Sequence, residues 1–201
     1  MPPDENTMSD TSITLPHVLN ALGCCFYLPP DSPEVNAVRH FFAEPAWRAV
    51  WPGGDDPALK ALLPHLTPTA TTVASDWQRL FAGPEALPAP PWGSVYLDAE
   101  GVLRGDSTLA LRGFLQREGL RLHTASPEPE DHLGLLLFQA AVLAAEGREA
   151  ALLELLRDHL HWLPLFICRL RQRGGEGFYL ALAELTHLTL QTLMAGSKKP
   201  A

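Results

Sequence analysis

Leu133-Gly-Leu-Leu-Leu-Phe-Gln-Ala-Ala-Val-Leu-Ala-Ala145 carries apolar side chains on almost every side, broken only by Gln139. A helix that is apolar all round is a buried one. The run also falls short of the roughly 20 residues that a membrane span needs. It is therefore expected to be the central helix of a globular core, and the neighbouring segments are expected to pack around it.

On its C-terminal side, Glu149–Trp162, Leu163–Arg173 and Phe178–Met194 read as three more helices, the last two separated by Gly174-Gly175-Glu176-Gly177. On its N-terminal side, Pro127-Glu128-Pro129-Glu130-Asp131 reads as a helix start, with proline in the first turn and carboxylates where the dipole favours them. Residues 119–126 read as irregular. Asp106-Ser107 is expected to cap a helix carrying Leu109, Leu111, Phe114 and Leu115, after a turn-rich connection over 98–105. Further upstream, Leu15, Val18, Leu19, Leu22, Cys25 and Phe26 follow the i, i+3, i+4, i+7 spacing of a first helix, closed by Pro29-Pro30. Asp31-Ser32-Pro33, Asp56-Pro57 and Thr67-Pro68 are starts of others, and 46–50 is one short turn. No period-2 strand pattern and no internal repeat is visible. The expectation is an all-α, single helical domain of about eight to twelve helices over residues 14–195. Residues 1–13 are expected to be a disordered tail and 196–201 a flexible one.

One stretch does not fit a helical bundle, Trp77-Gln-Arg-Leu-Phe-Ala-Gly-Pro-Glu-Ala-Leu-Pro-Ala-Pro-Pro-Trp-Gly-Ser-Val-Tyr-Leu-Asp98. Trp77, Leu80 and Phe81 lie at helical spacing, and Gly83-Pro84 ends that helix. The connection that follows is rich in proline yet carries Leu87, Trp92, Val95, Tyr96 and Leu97. Connections longer than about 12–15 residues are usually functional or disordered, and this one is too apolar for disorder. It is expected to be a stiff, ordered loop that presents side chains and free carbonyls.

Composition narrows the chemistry. A formal net charge of -8 argues against nucleic-acid binding and suits a positively charged partner. Three cysteines, two of them adjacent, make no disulfide framework and point to a reducing compartment. The polar, acidic N-terminus carries no export signal, so a cytoplasmic location is expected. No metal is expected: the histidines are scattered, and His159 and His161, two apart, fall on different faces of a helix. A Ser94–His132–Asp131 hydrolase is a rival reading. It is disfavoured because Asp131 and His132 would be helix neighbours whose side chains diverge by about 100°. No phosphate-binding glycine loop is present, and no cofactor is expected. What remains is a peptide surface: Trp77, Leu80, Phe81, Trp92 and Tyr96 as an aromatic floor, with Asp106, Glu128, Glu130 and Asp131 at helix starts around it. An apolar segment beside arginines is the ligand such a surface fits.

The quoted 77–98 stretch, with V-L-R-G-D-S-T-L-A-L-R from Val102 and E-P-E-D-H-L-G-L-L-L from Glu128, resembles the TorD/DmsD family of redox-enzyme maturation chaperones, on its DmsD side. The resemblance is strong from Trp77 to Leu143 and weaker at both ends. It implies an all-helical cytoplasmic protein without enzymatic activity. Its partner would be the twin-arginine leader peptide of a molybdoenzyme precursor such as a dimethyl sulfoxide reductase, held back from the Tat translocase until folded. It also implies a leader pocket made by Trp77, Leu80, Phe81, Gly83, Pro84, Leu87, Pro91, Trp92, Gly93, Ser94 and Tyr96, with Glu128, Asp131 and His132 opposite. Glu85 departs from the pattern, since some relatives carry an aromatic there. A scaffold that binds the folded reductase body is a further rival. A monomer is expected.

Overall fold

A computed structural model describes residues 13–99, 103, 105–121 and 128–197. Among these residues there are ten α-helices and no strand. They are α1 (Leu15–Tyr27), α2 (Pro33–Ala43), α3 (Pro57–Leu66), α4 (Ala70–Trp77), α5 (Ser94–Leu97), α6 (Asp106–Arg117), α7 (Leu133–Ala145), α8 (Glu149–Glu154), α9 (Leu163–Arg173) and α10 (Phe178–Gly196). A 3₁₀ turn at Trp47–Val50 follows α2, and π-helical turns extend α4 over Gln78–Ala82 and α8 over Leu155–His159.

Several helices begin where local chemistry dictates. Ser32, Asp56 and Thr69 accept hydrogen bonds from the backbone N–H of Val35, Ala58 and Thr72, so each relieves one orphan donor of a first turn. Proline occupies the first turn of α1, α2, α3 and α9. Two expected starts differ. At α6 the cap position is Gly105, and the capping carboxylate comes from Asp98, which accepts the Ser107 N–H at 3.0 Å and the Ser107 hydroxyl at 2.8 Å. At α7 the helix opens at Leu133, not in the Pro127–Asp131 segment, because His132 Nδ1 accepts the Gly134 N–H at 3.1 Å. Pro127 itself lies outside the described residues.

The core is built on α7 against α1. Leu133, Leu136, Leu137, Ala140 and Leu143 are fully buried, as are Leu19, Leu22 and Phe26 facing them. The two backbones meet through glycines: a Cβ on Gly134 would come within 2.8 Å of the Gly23 carbonyl oxygen and 2.7 Å of Tyr27 Cβ. Close approach at that crossing therefore requires Gly134. Around the pair, α10 packs on α3 and α9, and α2 with the 3₁₀ turn adds an aromatic cluster of Phe41, Phe42, Trp47 and Trp51. Cys24 and Cys25 are buried on α1, where burial raises both thiol pKa values, that of Cys25 strongly. Ile13 already packs against the core, and α10 runs to Gly196. Of the expected tails, 1–13 and 196–201, residues 1–12 and 198–201 lie outside the described residues.

Candidate functional site

The end of α4 sets the first part of the site. The helix widens into a π turn, so that the Gly83 N–H reaches back to the Gln78 carbonyl at 3.1 Å, and Gly83 leaves the helix at φ 76°. Leu80 is buried beside Gly174. Trp77 and Phe81 are half-buried and lean on each other at 5.3 Å. Both rest on Tyr179 of α10, and Phe81 also meets Phe26 of α1 edge-on at 6.4 Å. Apolar contact alone positions this pair. Pro84 follows Gly83 through a cis peptide and is exposed.

The proline-rich connection is held in a different way. Residues 83–93 form no helix, but Ser94–Leu97 closes into the single turn of α5, so the loop is shorter than its composition suggests. Three of its proline carbonyls are engaged, contrary to expectation. Pro88 O accepts from Arg169 Nε at 3.1 Å, Pro90 O from the Tyr96 hydroxyl at 2.9 Å, and Pro91 O from the Leu133 N–H at 2.8 Å. Tyr96 lies flat on Trp162 with ring centroids 5.3 Å apart and planes at 8°, and the Arg169 guanidinium lies over the Tyr96 ring at 5.8 Å. Burial raises the Tyr96 phenol well above its usual range, so it remains a donor. Leu87 is half-buried nearby in sequence.

The third part joins the loop to the start of α7. Gly93 N–H donates to Asp131 O at 3.1 Å, and Trp92 and His132 form an isolated antiparallel bridge. Side chains repeat the join. Trp92 Nε1 donates to Glu128 Oε2 at 3.0 Å, and Asp131 Oδ2 accepts the Ser94 N–H at 2.6 Å, which caps α5. The His132 ring stands edge-on to both Tyr27, at 5.5 Å, and Trp92, at 6.2 Å. Burial depresses its pKa to about 3, so at neutral pH it is an uncharged imidazole whose Nδ1 is an acceptor. Loop and helix start are therefore one bonded wall and not two walls of a groove. Asp131 is a pin between them, not a first-turn carboxylate. Asp106, by contrast, is exposed in the first turn of α6.

Two aromatic rings link the parts. Phe26 touches Phe81 and Phe166, and Phe166 touches Tyr96 and Trp162. Tyr27, Trp162 and Arg169 carry no local signal because each acts across a long sequence gap, while Asp98 caps a helix whose own first residues already look like a cap. Beside the wall opens a cavity of about 390 Å³ between α6 and residues 158–162, with Asp131 in its lining. Its other edge carries both His159 and His161. The chain leaves helical geometry after His159, so the argument that placed them on different faces does not apply. Among the described residues no group of His, Cys, Asp or Glu is arranged to hold a metal ion. A hydrolytic triad is not formed either: Ser94 is fully buried, Asp131 holds its backbone, and His132 Nδ1 faces the Gly134 N–H.

Residues 52–168 match the family described as nitrate reductase delta subunit. The chain is 42% identical over 170 residues to the Tat proofreading chaperone DmsD of Salmonella typhi, covering 84% of this chain and 83% of that one. It is 33% identical over 122 residues to the chaperone protein TorD of Shewanella piezotolerans, 57% of each. A crystal structure described as a redox enzyme maturation protein, from Archaeoglobus fulgidus, superposes with a TM-score of 0.58 at 18% identity. That superposition covers 97% of this chain and 100% of the other, so the two share a fold.

Proposed function

Because the chain belongs to the TorD/DmsD family of redox-enzyme maturation chaperones, and is a chaperone and not an enzyme, we propose that it binds the twin-arginine signal peptide of a molybdoenzyme precursor. The client is a dimethyl sulfoxide reductase-like catalytic subunit. The chaperone acts in the cytoplasm as a monomer, with residues 14–195 as its single helical domain. It keeps the precursor from the Tat translocase components until cofactor insertion and folding are complete.

The observation that carries this reading is the bonded wall. Trp92 is half-exposed yet fixed by Glu128 and by the bridge to His132, so little side-chain freedom is lost when a ligand packs on it. Trp77 and Phe81 add a second half-exposed aromatic surface, connected to the first through Phe26 and Phe166. The leader's apolar run packs on these rings and on Leu87. Its arginines meet carboxylates, Asp131 first, then Glu128 and Asp106. His132 contributes shape and the helix cap, since it is neutral and its Nδ1 is occupied. Pro91, Gly93, Ser94 and Tyr96 hold the wall in place from within, and Leu80, Gly83 and Pro84 set the end of α4.

Titration calorimetry with a synthetic twin-arginine leader peptide tests the assignment. Trp92→Ala and Asp131→Ala are each expected to weaken binding. Parent-like affinity in both variants would overturn the site. A pull-down with leader-deleted precursor separates the rival scaffold reading, which requires undiminished capture.

A further inference from the structure

Residues 84–91 read Pro-Glu-Ala-Leu-Pro-Ala-Pro-Pro, and their prolines have no N–H to donate. Such a segment builds no ladder of its own, so donors from other elements must place it. Leu133 of α7 serves Pro91 O, and Tyr96, six residues on, serves Pro90 O. Among the described residues, one hydrogen bond ties residues 84–90 to a remote element. It runs from Arg169 Nε to Pro88 O, at 3.1 Å and across 81 residues.

Arg169 belongs to a face of α9 that meets the loop at several points. Trp162 at the cap, Phe166 and Arg169 follow one another at i, i+4 and i+7. A Cβ on Gly93 would lie 2.6 Å from Trp162 Nε1, so the backbone there sits directly on the indole. Tyr96 stacks on Trp162, meets Phe166 edge-on at 6.3 Å, and has the Arg169 guanidinium over its ring at 5.8 Å. Arg169 then continues to Pro88, which neither ring is seen to touch. Ala89, fully buried, adds one methyl group to that hold. The bond from Arg169 is the stronger tether, since a charged donor makes a hydrogen bond roughly twice as strong as a neutral one.

We infer that Arg169 is the positioning residue of the proline-rich segment: its Nε–H holds Pro88, and with it the adjoining Leu87, where the leader's apolar run packs. Fixing Leu87 before the ligand arrives removes an ordering cost from binding. Charge alone would act in the opposite direction, because a guanidinium repels an arginine-bearing leader. The inference rests on the leader-binding reading above and gives a part in it to α9, which lies outside all three motifs.

Full-length protein is titrated by calorimetry with a synthetic twin-arginine leader peptide. Arg169→Met keeps a stem of similar length without a donor. Arg169→Gln restores an N–H at the same position along the side chain, also without charge, so the two variants differ in the bond to Pro88 O. Arg169→Met is expected to weaken binding about three- to tenfold, the ordering cost of one side chain, and to speed amide exchange at Leu87 and Ala89. Arg169→Gln is expected to stay within about twofold of the parent, since it keeps the bond. In a Leu87→Ala background the two variants should bind alike. Thermal melts confirm that the variants fold. Equal affinity of the methionine and glutamine variants, or unchanged exchange at Leu87 and Ala89 in Arg169→Met, overturns the inference and leaves the leader reading standing. If the parent itself does not bind the peptide, the leader reading falls, and the exchange comparison still decides whether Arg169 holds the segment.

Discussion

Trp77–Phe81 and Trp92–Tyr96 are both half-exposed aromatic pairs near the same end of α1, yet different forces place them. The first pair is packed, ring on ring, over Phe26 and Tyr179, with Leu80 buried beneath. The second is tied by directional bonds: Trp92 to Glu128, Tyr96 to Pro90 O, and the intervening backbone to Asp131 and Leu133. Packing tolerates small shifts but depends on volume. Hydrogen bonds tolerate little and depend on each partner's chemistry. Truncation should therefore reduce stability most at the first region. At the second, isosteric changes that alter only polarity should be felt.

The largest effect expected is at Leu80. Leu80→Ala leaves a cavity against Gly174 and should cost about 2–5 kcal/mol in denaturant unfolding. Leader affinity per folded molecule should change little, and a loss of affinity without loss of stability would break the comparison. Next is Asp131. Asp131→Ala strands the buried Ser94 N–H and should cost about 1–3 kcal/mol. Asp131→Asn keeps an acceptor there, so its stability loss should be smaller, while its affinity for an arginine-bearing leader should still fall; calorimetry and melts on the same samples separate the two effects.

A third test uses pH. His132 titrates near 3 in the folded protein and near 6.5 unfolded. Between those values the unfolded chain carries a proton that the folded one lacks, so acid favours unfolding. The contribution is complete above pH 6.5 and declines as pH falls through this window, by about 1.4 kcal/mol per unit. His132→Asn keeps a helix-capping acceptor and should flatten that part of the stability profile; an unchanged slope would mean that His132 is not the buried neutral cap. The smallest effect is at Tyr96. Tyr96→Phe keeps the stack on Trp162 but loses the bond to Pro90 O, about 1 kcal/mol. It should also speed hydrogen exchange around residues 90–96 without touching the Trp77 region.

The two regions also differ in how far they could be read in advance. Trp77, Leu80 and Phe81 announce themselves by i, i+3, i+4 spacing, and Gly83 marks their end; both signals are local. The wall announces only its composition. Asp131 looks like a first-turn acid because prolines and carboxylates precede an apolar helix. Whether the helix opens at 127 or at 133 depends on which side chain turns back to cap it, and the observed cap is the imidazole of His132. Asp106-Ser107 resembles a cap by the same logic, and the carboxylate of Asp98 supersedes it. Placing His159 and His161 on different helix faces assumes a continuous helix, which a π turn and the break after it remove.

By itself, then, the sequence determined an all-helical chain with α7 at its centre, many of the helix ends, the aromatic content of the site and, through three motifs, the family. These follow from periodicity, proline, capping residues and short-range order, all of which act within a few positions. Tertiary structure alone decided that the carbonyls of Pro88, Pro90 and Pro91 are used internally, that Asp131 pins Ser94 from 37 residues away, and that Trp162 underlies Tyr96. The physical reason is that these are directional contacts between segments remote in sequence. They exist only once the packing of α1, α7 and α9 brings the partners within hydrogen-bond or stacking distance.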